Sequence, residues 1–216
     1  MVAAENGRPT VPVTSVTYGR AMVCLACVSP CSGRLCDRCR WSFRSAPEQI
    51  VDGLLIRGGA LHEGAPRRLV HRLKYQSLLS AAEPLVESMA AQVPPWATGL
   101  VPVPRSLARR VRFGVDPSLQ LAKSLGRLTG LPVMPVLRAP LWWPSHAGAG
   151  NGNRSPVGFR AVAVPVSTYV LVDDVATTGA TMLSGREAME GIPTLAIAAT
   201  VRGRVTTGSE PSPIRR

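Results

Sequence analysis

Along this chain, short and almost wholly apolar runs alternate with longer stretches in which apolar residues recur every third or fourth position. The runs "TGLVPVP", "STYVLVDD" and "PTLAIAATV" are rich in Val, Leu and Ile, which predicts strands buried on both faces. "LPVMPVLR" reads as a further strand, and "QIVDGLLIRGGALHEG" (49–64), which alternates loosely around glycines, predicts a short hairpin. "PRRLVHRLKYQ" opens on Pro66 and repeats apolar residues at Leu69, Val70 and Leu73, the spacing of a helix. "SLLSAAEPLVESMAAQV" predicts a second helix, bent or interrupted at Pro84. A third, "DPSLQLAKSLGRLTG", is entered through Asp116-Pro117 and stopped by Gly130, and a fourth spans about Gly179 to Glu190. Strands alternating with helices predict the α/β class, a parallel sheet flanked by helices.

Outside that pattern lie four segments. Residues 1–19 mix Pro, Thr, Val and Gly without periodicity and read as a flexible arm. Residues 20–45 hold all five cysteines and form a small separate module, 46–204 the main domain, and 205–216 a polar tail. Residues 139–160 are a long loop of Gly, Asn and Pro, a length that in a compact domain usually serves function. No apolar run approaches the ~20 residues of a membrane span. The first residues show no basic start followed by an apolar core, so a cytoplasmic protein is expected.

The chemistry concentrates in "YVLVDDVATTGATM", from Tyr169. Four apolar residues lead to two adjacent carboxylates, Asp173 and Asp174, at the end of a predicted parallel strand, where open α/β sheets bind ligands. Like charges that close repel, so cationic or hydroxyl-rich matter belongs beside them. The turn behind them, Ala176-Thr177-Thr178-Gly179-Ala180-Thr181, enters a helix whose first amides lack partners, and its hydroxyls add donors suited to a phosphate. Carboxylates suit vicinal hydroxyls or a phosphate-bound Mg²⁺. A ligand bearing both halves is a ribose 5-phosphate.

This stretch resembles the phosphoribosyl pyrophosphate signature of the type I phosphoribosyltransferases. The resemblance implies that Asp173 and Asp174 bind the ribose 2- and 3-hydroxyls and serve catalysis, and that Ala176 through Thr181 bind the 5-phosphate. It also implies a pyrophosphate loop at "PVPRSLARRVR", with Arg105 the favoured ligand, and a lid at 139–160 carrying Trp142, Trp143, His146 and Arg154. If "RSLARRVR" is helical, Arg105, Arg109 and Arg112 share a face, either as phosphate ligands or as a solvated basic surface.

Cys24-x2-Cys27 and Cys36-x2-Cys39 are two knuckles eight residues apart, a doubled pattern that predicts a structural zinc ion, with Cys31 as the spare; a redox role is the alternative. The order of knuckle, "GALHEGAPRRLVHRLKY", "LVPVPRS" and phosphoribosyl motif resembles the ComF family of competence-associated phosphoribosyltransferase-like proteins, over about residues 22–202. This chain departs from the family at "RFGV" (112–115) and at His146. Two functions follow from the resemblance. One is a transferase binding Mg²⁺-phosphoribosyl pyrophosphate and passing phosphoribosyl to an unknown acceptor. The other is a non-catalytic accessory that binds single-stranded DNA beside DNA-uptake proteins. The formal charge of +12, with 23 of 25 basic residues arginine, fits phosphates or nucleic acid, and equally a compositional bias. A zinc ion on four thiolates would bring it to about +10.

Overall fold

The computed structural model describes residues 22–140, 158–163, 168–193 and 195–203. The predicted arm, most of the long loop with Trp142, Trp143, His146 and Arg154, and the tail lie outside these residues. Two short antiparallel strands, Met22–Val23 (β1) and Pro30–Cys31 (β2), and one turn of helix, Asp37–Arg40 (α1), make up the cysteine module. A hairpin follows: Gln49–Val51 (β3) turns through Asp52 and Gly53, both at positive φ, into Leu54–Leu61 (β4). Positive φ at both turn residues matches the twist of the flanking strands. Helices Gly64–Tyr75 (α2) and Ala82–Ala90 (α3) come next, then Gly99–Pro102 (β5), Leu107–Phe113 (α4) and Pro117–Thr129 (α5). Two-residue strands Leu137–Arg138 (β6) and Arg160–Ala161 (β7) pair antiparallel across the base of the long loop. Tyr169–Ala176 (β8), Ala180–Glu187 (α6) and Leu195–Val201 (β9) complete the chain.

The main sheet has the order β3-β4-β9-β8-β5, parallel throughout except for the antiparallel edge strand β3. All seven residues of the central strand β9 are buried, the continuous apolar pattern of a strand covered on both faces. Helices α2, α3 and α5 cover one face, with Leu69, Leu73, Leu85, Met89, Leu121 and Leu125 packed on Val170, Val172 and Ile197. The other face is covered around α6, where Met182 and Met189 join Leu54, Ile56, Val101 and Leu171. Each such side chain contributes about 1.5–3 kcal/mol by leaving water. The mixed α/β class is therefore as the sequence predicted.

The cysteine module packs into the first of these cores through Cys24, Ala26, Leu35 and Cys39. Ser42 Oγ accepts from Ala65 N at 3.0 Å, satisfying an orphan amide in the first turn of α2, and Arg34 pairs with Glu83 of α3. Among the described residues no helix is long and apolar enough to cross a membrane.

Several elements differ from their sequence expectation. Pro84 neither bends nor interrupts α3; it sits in the first turn, where its missing N–H costs nothing, and a 3₁₀ turn over Leu79–Ala81 precedes the helix. "LPVMPVLR" is no regular strand, since Pro132 and Pro135 break it into one bridge from Val133 to Leu100 and the short β6. The strand β8 runs on past the aspartates to Ala176, and α6 stops at Glu187 rather than Glu190. The second hairpin strand, β4, is an interior strand of the sheet, pairing with β9 as well as β3. By contrast α5 begins and ends where its punctuation says. Asp116 Oδ1 accepts from Leu119 N, Pro117 holds the first position, and Gly130 closes the helix at φ +76°.

Candidate functional site

All four parallel strands deliver a polar residue to one end of the sheet, around a cavity of about 420 Å³. His62 follows β4, Pro104 and Arg105 follow β5, Asp173 and Asp174 lie near the end of β8, and Arg202 follows β9. This is the carboxyl end of a parallel sheet, the usual place for a ligand. Helix α2 forms one wall with Arg67, His71 and Lys74, and the start of α5 adds Pro117 and Ser118.

The two carboxylates are held differently. Lys74 Nζ donates to Asp174 Oδ1 at 2.7 Å, and Asp174 is 6% exposed. Ser118 Oγ donates to Asp173 Oδ1 at 2.8 Å, and the backbone N–H of Asp174 donates to that same oxygen at 2.7 Å. Burial, and then the neighbouring charge of Asp174, push Asp173 up to about 7. Burial pulls Lys74 down, but the charge and hydrogen bond of Asp174 outweigh it, so the ammonium is held above its usual range. The cation demanded by two adjacent carboxylates is thus Lys74, a residue the sequence motif does not contain.

His62 was also not singled out from the sequence. Its Nδ1 lies 2.8 Å from Thr200 Oγ1, and that buried hydroxyl donates to the carbonyl of Asp174 at 3.4 Å. The contact with Thr200 orients the imidazole, with the donor and acceptor roles set by the ring's tautomer. Burial, followed by the charges of Arg202, Lys74 and Arg67, lowers His62 to about 4, so the ring is neutral near pH 7.

The predicted phosphate turn is only partly on the cavity. Thr177 and Thr181 line it. Ala176 is buried, Thr178 is exposed with its hydroxyl accepting from Ala180 N at 3.4 Å, and Ala180 is half-buried. Gly179 takes φ +77°, and a Cβ there would stand 2.6 Å from Ile56 Cδ1, so the glycine serves the packing of α6 against β4.

Arg105 does line the cavity, yet it precedes α4, so Arg105, Arg109 and Arg112 share no helix face. Its N–H donates to Asp116 Oδ2, its Nη1 donates to the carbonyls of Lys74 and Val115, and its guanidinium lies 4.8 Å from the Phe113 ring centroid. Arg109 lines the same cavity. Arg110 and Arg138 instead line a neighbouring cavity of about 240 Å³.

In the cysteine module Cys24, Cys27, Cys36 and Cys39 bring their sulfurs within 4.8 Å of one another, with Cys27 and Cys36 at 3.6 Å. Four sulfurs on a tetrahedral zinc ion, each about 2.3 Å from the metal, would stand about 3.8 Å apart, so the donor set fits zinc. Cys31 is outside the cluster, its thiol donating to the carbonyl of Gly33. Without a cation among them, burial pushes Cys39 up to about 12, while bonds to Ser29 draw Cys27 down to about 6. A divalent ion would let all four ionise together. Arg68 Nη2 donates to Cys39 Sγ at 3.7 Å and ties the cluster to α2, the helix that also carries Lys74.

Magnesium was expected with phosphoribosyl pyrophosphate, bound to its phosphates beside the carboxylates, and a site for it on the protein itself is a separate question. Mg²⁺ needs near-octahedral oxygen ligands at about 2.1 Å. Here Asp174 Oδ1 is engaged by an ammonium, and five cationic side chains line the cavity against two carboxylates. These residues do not fit a protein-held magnesium ion. No protein-family model matches the chain, and no curated protein matches it.

Proposed function

We propose that the cavity binds a ribose 5-phosphate ligand, with phosphoribosyl pyrophosphate its fullest form, and that the chain is a phosphoribosyltransferase-like protein of the ComF type. The observation that carries this reading is the convergence of the Asp173–Asp174 pair, Thr177, Thr181 and Arg105 on one cavity at the carboxyl end of a mostly parallel sheet. The carboxylates hold the ribose hydroxyls, Thr177 and Thr181 the 5-phosphate, and Arg105 with Arg109 the pyrophosphate. Transfer is displacement at the anomeric carbon: the bond to pyrophosphate breaks and pyrophosphate leaves with its electron pair, a nucleophilic atom of the acceptor forms the new bond, and the two carboxylates steady the positive charge that grows on the ribose. The sheet order, with three parallel pairings, is compatible with the type I phosphoribosyltransferase fold. Calorimetry with phosphoribosyl pyrophosphate on the purified protein tests binding, and pyrophosphate release on adding candidate acceptors tests transfer. Binding without release would leave a ligand-binding protein rather than a transferase.

One observation favours the accessory reading. Trp41 is 85% exposed at the end of α1, next to Arg40 and near Arg38, an aromatic face flanked by cations on which a base can stack. Binding of single-stranded DNA that strengthens at low salt and weakens in Trp41→Ala supports this second function; DNA binding unchanged by Trp41→Ala removes it.

A further inference from the structure

Among 25 basic residues only Lys74 and Lys123 are lysines, and one of them is the cation buried against the carboxylate pair. The choice has chemical content. An arginine presents a broad planar fork, whereas a lysine presents a compact point charge that can stand on a single carboxylate oxygen as a small cation does. The side chain of Lys74 is 24% exposed and that of Asp174 9%, so the pair lies inside the cavity and not at its mouth. Both residues line the cavity, together with Arg67, Arg105, Arg109 and Arg202. His62 adds a neutral imidazole rather than a further carboxylate.

Resting on the ribose 5-phosphate reading, we propose that Lys74 stands where a metal ion would otherwise sit, so that this protein takes its phosphorylated sugar as the metal-free anion. Two features carry the inference. A divalent ion at the carboxylates would have to displace the ammonium from Asp174 Oδ1 and leave it buried beside a second cation. The ligand's phosphate groups, each carrying up to about −2, meet the four arginines of the lining, Arg67, Arg105, Arg109 and Arg202, with Lys74 left to the carboxylate, and need no metal to neutralise them. Lys74 is a positioning and specificity residue in this account: it fixes Asp174 and sets which ionic form of the ligand fits.

The test is titration calorimetry of the full chain with phosphoribosyl pyrophosphate and with ribose 5-phosphate, in chelator and in excess Mg²⁺. Wild type should bind both ligands in chelator, with Kd changing less than about 3-fold on adding Mg²⁺. Lys74→Met should weaken binding in chelator by more than about 30-fold and recover part of it in Mg²⁺, because Asp174 is then open to the metal. Lys74→Arg, which keeps the charge, should lose less than Lys74→Met in chelator. Wild-type binding that tightens 10-fold or more with Mg²⁺, or that needs it, overturns the inference and leaves the ribose 5-phosphate reading standing. No binding in either buffer overturns both. The wild-type arms decide the matter even if a variant fails to fold.

Discussion

Replacing Asp174 by Asn should cost more stability than any surface substitution in this chain. The change keeps the shape and an acceptor oxygen but removes the charge that Lys74 Nζ meets at 2.7 Å. The ammonium is held mostly out of bulk water, since its side chain is only 24% exposed. Breaking a buried pair by removing one partner costs about 3–5 kcal/mol, and the low end, about 3 kcal/mol, applies where a cavity admits some water. For a domain of this size that is a fall in Tm of roughly 6–12 °C. Removing both charges together, as Lys74→Met with Asp174→Asn, should recover most of the loss, because no buried charge is then left without its partner. Urea unfolding of wild type, the two single variants and the double variant completes the cycle, and the coupling should be at least about 2 kcal/mol. If Asp174→Asn costs less than about 1 kcal/mol, or the two losses simply add, the pair is not the buried contact described, and the argument against a metal at Asp174 falls with it.

Protein purified under reducing conditions should carry one zinc ion per chain; Cys36→Ser should lose it and melt lower, Cys31→Ser should keep it, and metal analysis showing otherwise removes the zinc assignment. Asp173 is raised from 3.8 to about 7, so the folded state keeps a proton that the unfolded chain releases. Its stabilising effect is complete below about pH 4 and lost as pH rises through about 7. Asp173→Asn should therefore gain on wild type in chemical denaturation between those limits, and a constant difference would contradict the shift. Gly179→Ala should destabilise by about 1–3 kcal/mol, since its φ is strained and its Cβ would strike Ile56, while Thr178→Ala, on an exposed side chain, should stay within about 0.5 kcal/mol. Gly179→Ala that melts normally but binds phosphate poorly would return the glycine to the site.

Where the chain states its own boundaries, the fold was legible. Asp116, Pro117 and Gly130 set the ends of α5 through a cap, a fixed φ and a left-handed stop, all local effects. The two knuckles were legible because each is a local turn whose doubled spacing has few other uses. The companion of the carboxylates was not. Lys74 is 100 positions from Asp174, on a helix whose apolar periodicity says which face is buried but not which strand end it crosses. A packing demand on Gly179 was illegible for a related reason, since the need for a bare Cα also comes from Ile56 on a distant strand. The "LPVMPVLR" strand failed because its prolines remove the donors a ladder needs.

The central claim, a cavity shaped for the ribose of a ribose 5-phosphate, is tested most directly by titrating ribose 5-phosphate and inorganic phosphate against wild type and Asp173→Asn at pH 8, above the value of about 7 held by Asp173. A charge-assisted hydrogen bond to a sugar hydroxyl is worth roughly 1.5–3 kcal/mol, so the variant should bind the sugar phosphate about 10- to 150-fold more weakly. Inorganic phosphate, which has no hydroxyl for the carboxylate to hold, should lose little. Equal losses for the two ligands, or no loss for either, would contradict the assignment of the carboxylates to the sugar.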